Sequence, residues 1–247
     1  MMLIFSSRKH LFLDNCVYRT KFETLSPKHK RMKLTRFAFL ATLLLLISSA
    51  CIEHEVIPPP SNKVDLNASF VGYINGTQVE LTQNVNNYLG FALDTQIVNV
   101  APVMSKVIYS FGMASTANPQ NISLSFGSLE WDATGSATPT LPMFNDFHMT
   151  NSGNPVPFKD VATLATNSIN GVQVSYTDNT GKFWISRETD PGQTANFTII
   201  KQASDGNGDY SLFEVTFSCK VWYVDPQTSA EESIQINNAK LRGWFKR

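Results

Sequence analysis

His148 is the residue whose type points most directly to catalysis, because imidazole titrates near neutral pH and can move a proton. Asp146 lies two residues earlier. A serine hydrolase also needs an exposed serine on a tight turn, and the Gly-x-Ser-x-Gly pattern does not occur in the chain. His54 is the other histidine after position 50, and it stands in a proline-bearing stretch. The pair His148 and Asp146 predicts neither a catalytic triad nor a metal site, and a surface-loop histidine is the simpler interpretation.

An acidic turn late in the chain has the oxygen spacing of the first half of a calcium loop, where alternate side chains converge on a hard cation. Asp205, Asn207 and Asp209 would supply these oxygens. The sixth position of such a loop would be Tyr210 instead of glycine, and the twelfth would be Thr216 instead of glutamate. A hairpin turn rich in Asp, Asn and Gly explains the run more simply, so no cofactor is predicted and calcium stays a weak alternative.

Paired carboxylates are the third chemistry to consider, since glycosidases place two of them about 5 to 9 Å apart. The candidate acids are Glu130, Asp132, Glu188, Asp190 and Glu214. No motif places two of them on one face of an element, so the sequence assigns no catalytic residue.

Aromatic side chains are the remaining candidates for ligand contact, because flat rings stack on sugars and anchor protein partners. The candidate ligand-binding residues are Trp131, Trp184, Trp222, Phe144 and His148. Core packing explains most aromatic residues equally well, and we expect about two thirds or more of them to be buried.

The chemistry of Cys51 is indicated by what precedes it. Residues 37–50 are an uninterrupted apolar run ending in small residues, with Lys33 and Arg36 just before it. This order is typical of an export signal. At 14 residues the run is shorter than the ~20 that a helix needs to cross a bilayer, so a retained membrane anchor is the weaker interpretation.

The ending of this run, residues 47–51, resembles the lipobox of bacterial lipoproteins, in which the cysteine thiol is diacylated and becomes the new N-terminus. Ser48 stands where the lipobox usually has leucine. The resemblance implies lipidation of Cys51, with palmitate among the expected acyl chains, and the alternative is an ordinary secretory signal with an incidental cysteine. Two acyl chains make a durable anchor, whereas one binds only marginally. The expected location is the outer membrane, on its periplasmic or cell-surface face.

The chain divides into four predicted parts. They are residues 1–31, a start-site artefact or leader extension ahead of Met32; 32–50, the signal peptide; 51–63, the lipidated cysteine and a flexible, proline-bearing tether; and 64–247, the folded domain.

Charge changes sharply once the leader is removed. Nine of the 20 basic residues and two of the 20 acidic residues precede Cys51, which leaves a formal charge near −7. A negative domain without a basic run argues against nucleic acid as a partner. Cys219 then has no cysteine partner within the domain, and its alternation with apolar neighbours predicts a buried small hydrophobe rather than a nucleophile.

Strand-like sequence with frequent turn residues continues from residue 64 to the end. Asn75-Gly76 predicts a hairpin within residues 66–81. Further strands are predicted at 105–113, 121–131, 171–177, 182–187, 195–202, 210–224 and 232–245, with an antiparallel meander at the C-terminal end. Residues 139–170 resist this pattern because of their prolines, and 159–166 could form a short helix. About nine strands predict an all-β domain, an antiparallel β-sandwich, with a closed β-barrel as the alternative.

Several turn and strand-end motifs strengthen this picture. They are Phe70 to Thr77, Tyr176 to Trp184, Phe217 to Cys219 and Gly243 to Phe245. Together with the lipobox and tether, they resemble small lipoproteins of the Bacteroidota that carry a β-sandwich after a lipid tether. The resemblance extends over most of residues 33 to 247 and implies no catalytic residues.

Two function classes follow. The first is a membrane-tethered, surface-exposed binding or accessory module for a glycan, a peptide or an envelope protein, and the lack of catalytic signatures favours it. The second is a hydrolase whose site is built from the irregular segment 139–170 and a sheet edge.

Overall fold

The computed structural model describes residues 63–247. The predictions for residues 1–31, for the signal peptide and for Cys51 with its tether up to residue 62 lie outside the described residues. The described elements are β1 (Ser69–Ile74), β2 (Thr77–Thr82), β3 (Tyr88–Ile97), β4 (Ser105–Ser115), β5 (Asn121–Trp131), α1 (Leu141–Thr150), β6 (Pro155–Pro157), α2 (Val161–Thr166), β7 (Gly171–Thr177), β8 (Phe183–Ser186), β9 (Thr194–Asp205), β10 (Gly208–Val224) and β11 (Glu231–Lys246). The all-β prediction is confirmed.

The first hairpin shows how local sequence fixes a turn. Asn75 and Gly76 join β1 to β2 and both have positive φ, 48° and 80°. A two-residue turn with that backbone matches the right-handed twist of the strands, and Asn and Gly adopt it at least cost. Ile74 therefore pairs with Thr77, as the sequence predicts.

The strands form one antiparallel sheet that curls into a half-barrel. Its order is β2-β1-β11-β10-β8-β7-β5-β4-β3. The long strand β10 is the branch point, because β9 pairs with its first half and β8 with Val221 and Trp222 near its end. The three long strands β9, β10 and β11 therefore lie side by side, with β10 in the middle.

Aromatic rings fill the concave interior. Phe245 of β11 packs face to face against Phe213 of β10, with ring centroids 4.4 Å apart, and Phe126 of β5 stacks on Phe197 of β9 at 4.7 Å. The second contact ties separate parts of the curled sheet together, because β5 and β9 do not pair with each other. Rings of this size bury much of the apolar area that stabilises the domain.

Helix α1 packs against this interior. It belongs to residues 139–170, the segment whose sequence does not predict strands. Thr140 caps its N-terminus, with its hydroxyl oxygen accepting from the backbone N–H of Met143, and Pro142 falls in the first turn, where a missing N–H costs nothing. Phe144 and Phe147 point inward and are buried. The predicted helix at 159–166 is present as α2. Neither α1 nor α2, the helices within residues 63–247, is long and apolar enough to cross a membrane.

Strand β3 was not predicted, because its large apolar residues face solvent and its small residues face the core. Leu89, Phe91 and Leu93 face outward and are 55%, 39% and 58% exposed. Gly90 and Ala92 face the core instead, where a Cβ on Gly90 would collide with the ring of Trp244. Small residues inside and large ones outside conceal a strand from a sequence pattern.

Candidate functional site

Three of the predicted ligand-binding residues lie in the core. Trp131 is 1% exposed and Trp184 is 4% exposed. Their indole N–H groups donate to the carbonyl of Ser136 and to the carboxylate of Asp178, each at 3.0 Å. Phe144 is fully buried. These rings have almost no surface on which a ligand could stack.

His148 is also a core residue. Its side chain is fully buried, and its Nδ1–H donates to the carbonyl of Phe144 at 2.8 Å, one turn earlier in α1. Burial lowers the pKa of His148 to about 3, and the hydrogen bond to Phe144 opposes that shift only in part. The imidazole is neutral at physiological pH, and its Nε2 is buried without a hydrogen-bond partner among the described residues.

Trp222 keeps an exposed part, and its own chain occupies its ring. The indole N–H donates to Asp190 Oδ2 at 2.7 Å. The guanidinium of Arg187 and the ammonium of Lys220 lie 4.6 Å and 5.3 Å from the ring centroid. Cations at these distances are attracted to the π-face. The ring is thus held in one position on the outer surface.

The acidic turn proposed for calcium is the β9–β10 hairpin turn. Asp205 accepts from the backbone N–H groups of Asn207 at 2.7 Å and of Val64 at 2.9 Å, and these bonds lower its pKa. Asp209 accepts from the Ser204 hydroxyl at 2.6 Å. The carboxylates of the turn therefore already accept hydrogen bonds from the turn itself and from Val64. Within residues 63–247, no group of three His, Cys, Asp or Glu side chains converges as a metal site would require.

Each of the five candidate acids already contacts a donor in its own surroundings. Glu130 pairs with Lys106, Asp132 accepts from Thr134, Glu188 from the backbone of Asp160, Asp190 from Trp222, and Glu214 pairs with Lys240.

A shallow groove of about 480 Å³ lies on the outer face where β9, β10 and β11 run side by side. Its polar lining consists of Thr194 and Asn196 from β9, Thr216 and Ser218 from β10, and Asn238 and Lys240 from β11. These side chains are exposed and alternate along each strand with buried residues such as Phe197 and Phe217. The period-two pattern of a half-buried sheet thus creates a continuous polar surface.

A β-bulge shapes the middle of this groove. Along the β10–β11 ladder, the step from Phe217 to Cys219 on β10 is opposed by the longer step from Ala239 to Ile236 on β11. Asn238 adopts a positive φ of 48°, and its backbone N–H donates to Ser218 Oγ at 3.0 Å. A bulge bends its strand and re-aims side chains, and bulges are enriched beside functional sites.

The groove is close to electrically neutral. Its one lining cation, Lys240, forms an ion pair with Glu214 at 3.0 Å on the same outer face. Its other polar lining residues carry hydroxyl or amide groups. An exposed aromatic ring lies nearby, since Tyr73 of β1 is 44% exposed and pairs in register with Asn237, one of the two residues of the bulge.

Sequence reasoning missed the groove because its residues look like an ordinary solvated strand face. The available signal was Asn237-Asn238 in the middle of a predicted strand, since asparagine is depleted in strands and tolerates positive φ. That pair predicts a bulge. Which strands lie beside the bulge and complete the groove depends on the sheet topology, which no local sequence pattern shows.

A second depression, of about 360 Å³, lies beside α1, in the segment for which a hydrolytic site was the alternative. Its lining includes Asp146, Asn151 and Asn170, and Asp146 is the one acid among its lining residues. His148 is buried in the core instead and is not among the residues that line this depression.

Comparison with known proteins adds no relative: no family model, curated protein or solved structure matches this chain.

Proposed function

We propose that this chain is a lipid-anchored lipoprotein of the cell envelope whose β-domain binds a neutral glycan in the groove of β9, β10 and β11. The observation that carries the proposal is the groove itself. It combines a near-neutral charge with hydroxyl and amide side chains from three adjacent strands. Sugar hydroxyls both donate and accept hydrogen bonds, and these side chain types can do the same.

The groove side chains have hydrogen-bonding capacity to offer. The side chains of Thr194, Asn196 and Thr216 form no hydrogen bond with any other residue of 63–247, and all three are exposed. Ser218 accepts from the Asn238 backbone and keeps its hydroxyl proton for another acceptor. Thr216 pairs in register with Asn196 on one side and Lys240 on the other. A ligand across the strands would therefore meet a row of donors and acceptors.

Binding at the groove is tested with a glycan array and thermal shift on the chain after Cys51, with and without calcium. We expect a ligand from the array to raise Tm. The double variant Asn196→Ala with Thr216→Val removes two hydrogen-bonding side chains, each worth about 0.5 to 1.5 kcal/mol, and should weaken binding about tenfold.

The matched control is Thr198→Ala, an exposed outward residue of β9 outside the groove lining, which should leave affinity within about twofold. Equal losses in the double variant and the control would contradict binding at the groove. If the chain responds to no sugar but does respond to a peptide or an envelope protein, the ligand is a protein partner and not a glycan.

The anchor is proposed from the sequence around Cys51. A Cys51→Ala variant is expected to lose incorporation of a palmitate analogue during growth and to leave the membrane fraction, because the thiol that carries the acyl chains is gone. Mass spectrometry of the N-terminal peptide is the measurement. Ser49→Thr, two residues before the lipobox cysteine, is the control that should keep the label. Label retained by Cys51→Ala would contradict lipidation at this position.

We also propose that the curled sheet folds over on itself to form a sandwich of two packed layers. What supports this is contact across the interior, where Phe111 of β4 lies edge-to-face against Phe213 of β10 at 5.8 Å. The ring of Phe111 also fills the space that a Cβ on Gly243 would need. The closed-barrel alternative requires pairing between β2 and β3, and the strand order of the described residues ends at those two strands.

A further inference from the structure

The loop of residues 98–104, which joins β3 to β4, carries four exposed apolar side chains. Val98, Val100, Val103 and Met104 are 65%, 87%, 61% and 41% exposed. No charged residue occurs from position 97 to 105. Exposed apolar clusters of this kind mark contact surfaces.

Hydrogen bonds hold the loop in one shape. The backbone N–H of Asn99 donates to Ser105 Oγ at 2.9 Å, and the Asn99 side-chain amide donates to the carbonyl of Met104 at 2.8 Å. The N–H of Val103 donates to the carbonyl of Val100 at 3.2 Å, closing a turn at the tip. The apolar side chains are therefore displayed on a preformed turn, which lowers the entropy cost of a contact.

The loop lies at the end of the domain where the described chain begins. Gln96, just before the loop, lines a small cavity together with Arg247. The backbone N–H of Arg247 donates to the carbonyl of Asp209 in the β9–β10 hairpin. Asp205 of the same hairpin accepts from the N–H of Val64. This chain of contacts places the loop and the entry of the tether at one end.

We propose that the 98–104 loop inserts into the surface of the lipid bilayer to which Cys51 is anchored. The inference rests on the proposed lipidation. Only about a dozen residues separate Cys51 from Lys63, a reach of at most roughly 40 Å if extended. A tether this short keeps the loop at a high effective concentration near the lipid, so a weak apolar contact is enough to dock the domain.

The shape and chemistry of the loop favour lipid over protein. The tip is uncharged, apolar and strongly exposed, with Val100 at 87%, and these properties suit insertion into the acyl boundary of a bilayer. Docking would also orient the domain. The groove lies on the outer face of β9 to β11. Its lining residues Thr216, Ser218 and Asn238 lie near the middle of β10 and β11.

The test uses the chain from Cys51 onward, coupled through that thiol to a maleimide lipid in phosphatidylcholine vesicles. Cys219 is fully buried and does not compete for the reagent. Val100→Trp is compared with Val224→Trp, whose site is 46% exposed at the far end of β10. Quenching by bromine-labelled lipid is measured after subtraction of the chain with its native tryptophans only.

We expect Val100→Trp to be quenched at least threefold more strongly than Val224→Trp. Adding Val103→Asp to Val100→Trp should reduce that quenching to the control level, because a charge at the tip opposes insertion. Equal quenching at the two sites would overturn the inference. A blue shift of Val100→Trp that depends on protein concentration without vesicles would overturn it in favour of a second copy. Because the coupling is chemical, neither result depends on whether cells acylate Cys51.

Discussion

Phe245→Ala is expected to lower the free energy of unfolding by about 3 to 5 kcal/mol, the range for removing a fully buried large aromatic ring. Phe245 is completely buried, with Phe213 at 4.4 Å and His148 at 4.9 Å between ring centroids. Its ring also lies 5.8 Å from that of Phe126 on β5. The substitution leaves a cavity where β10, β11, β5 and α1 meet, so each of these four elements loses contacts.

Urea denaturation measures this effect, with an unchanged m-value as the sign that the native fold is kept. Phe183→Ala is the matched control, since the Phe183 side chain is 52% exposed and its removal should change stability by no more than about 0.5 kcal/mol. A loss below about 1 kcal/mol for Phe245→Ala would contradict the aromatic core described here.

Stability is expected to fall steeply in mild acid because of His148. Its pKa is about 3 in the folded domain and about 6.5 when exposed. Between these values the unfolded chain binds a proton that the folded chain excludes. The stabilising contribution of the neutral His148 is therefore fully present above pH 6.5 and is lost as pH falls toward 3. The slope is about 1.4 kcal/mol per pH unit. Tyr109, whose ring lies 5.2 Å away, has a raised pKa and stays neutral throughout this range.

The measurement is the free energy of unfolding at pH 6 and pH 4.5 for the native chain and for His148→Phe. Carboxylates titrate in both proteins, so the difference isolates the imidazole. The native chain should lose about 2 kcal/mol more than His148→Phe over this interval. Parallel pH profiles would mean that His148 is solvated and would reopen a role for it in catalysis.

Local chemistry predicted the strands well where turns and alternation agree. Asn75-Gly76 gives the first hairpin, and the predicted spans 121–131 and 171–177 coincide with β5 and β7. The turn at Asp178 also follows from its side chain, which accepts from the backbone of Thr180 at 2.8 Å. These features depend on residues a few positions apart, so they can be predicted from a single sequence.

Other features depend on residues far apart in the chain. Helix α1 is stabilised by burying Phe144 and His148 among rings from β4 and β11, which no local pattern reveals. Segment 139–170 therefore looks irregular in sequence although it contributes to the core. The groove is another such feature, since Asn196 and Asn238 line one groove only because β9 and β11 flank β10.

Glycan binding in the groove is tested most directly by an amide NMR titration of the chain after Cys51 with the glycan that the array selects. We expect shifts confined to the groove strands, around residues 194–196, 216–218 and 237–240. Shifts centred instead on the depression beside α1, or none with any glycan, would contradict a glycan site in the groove.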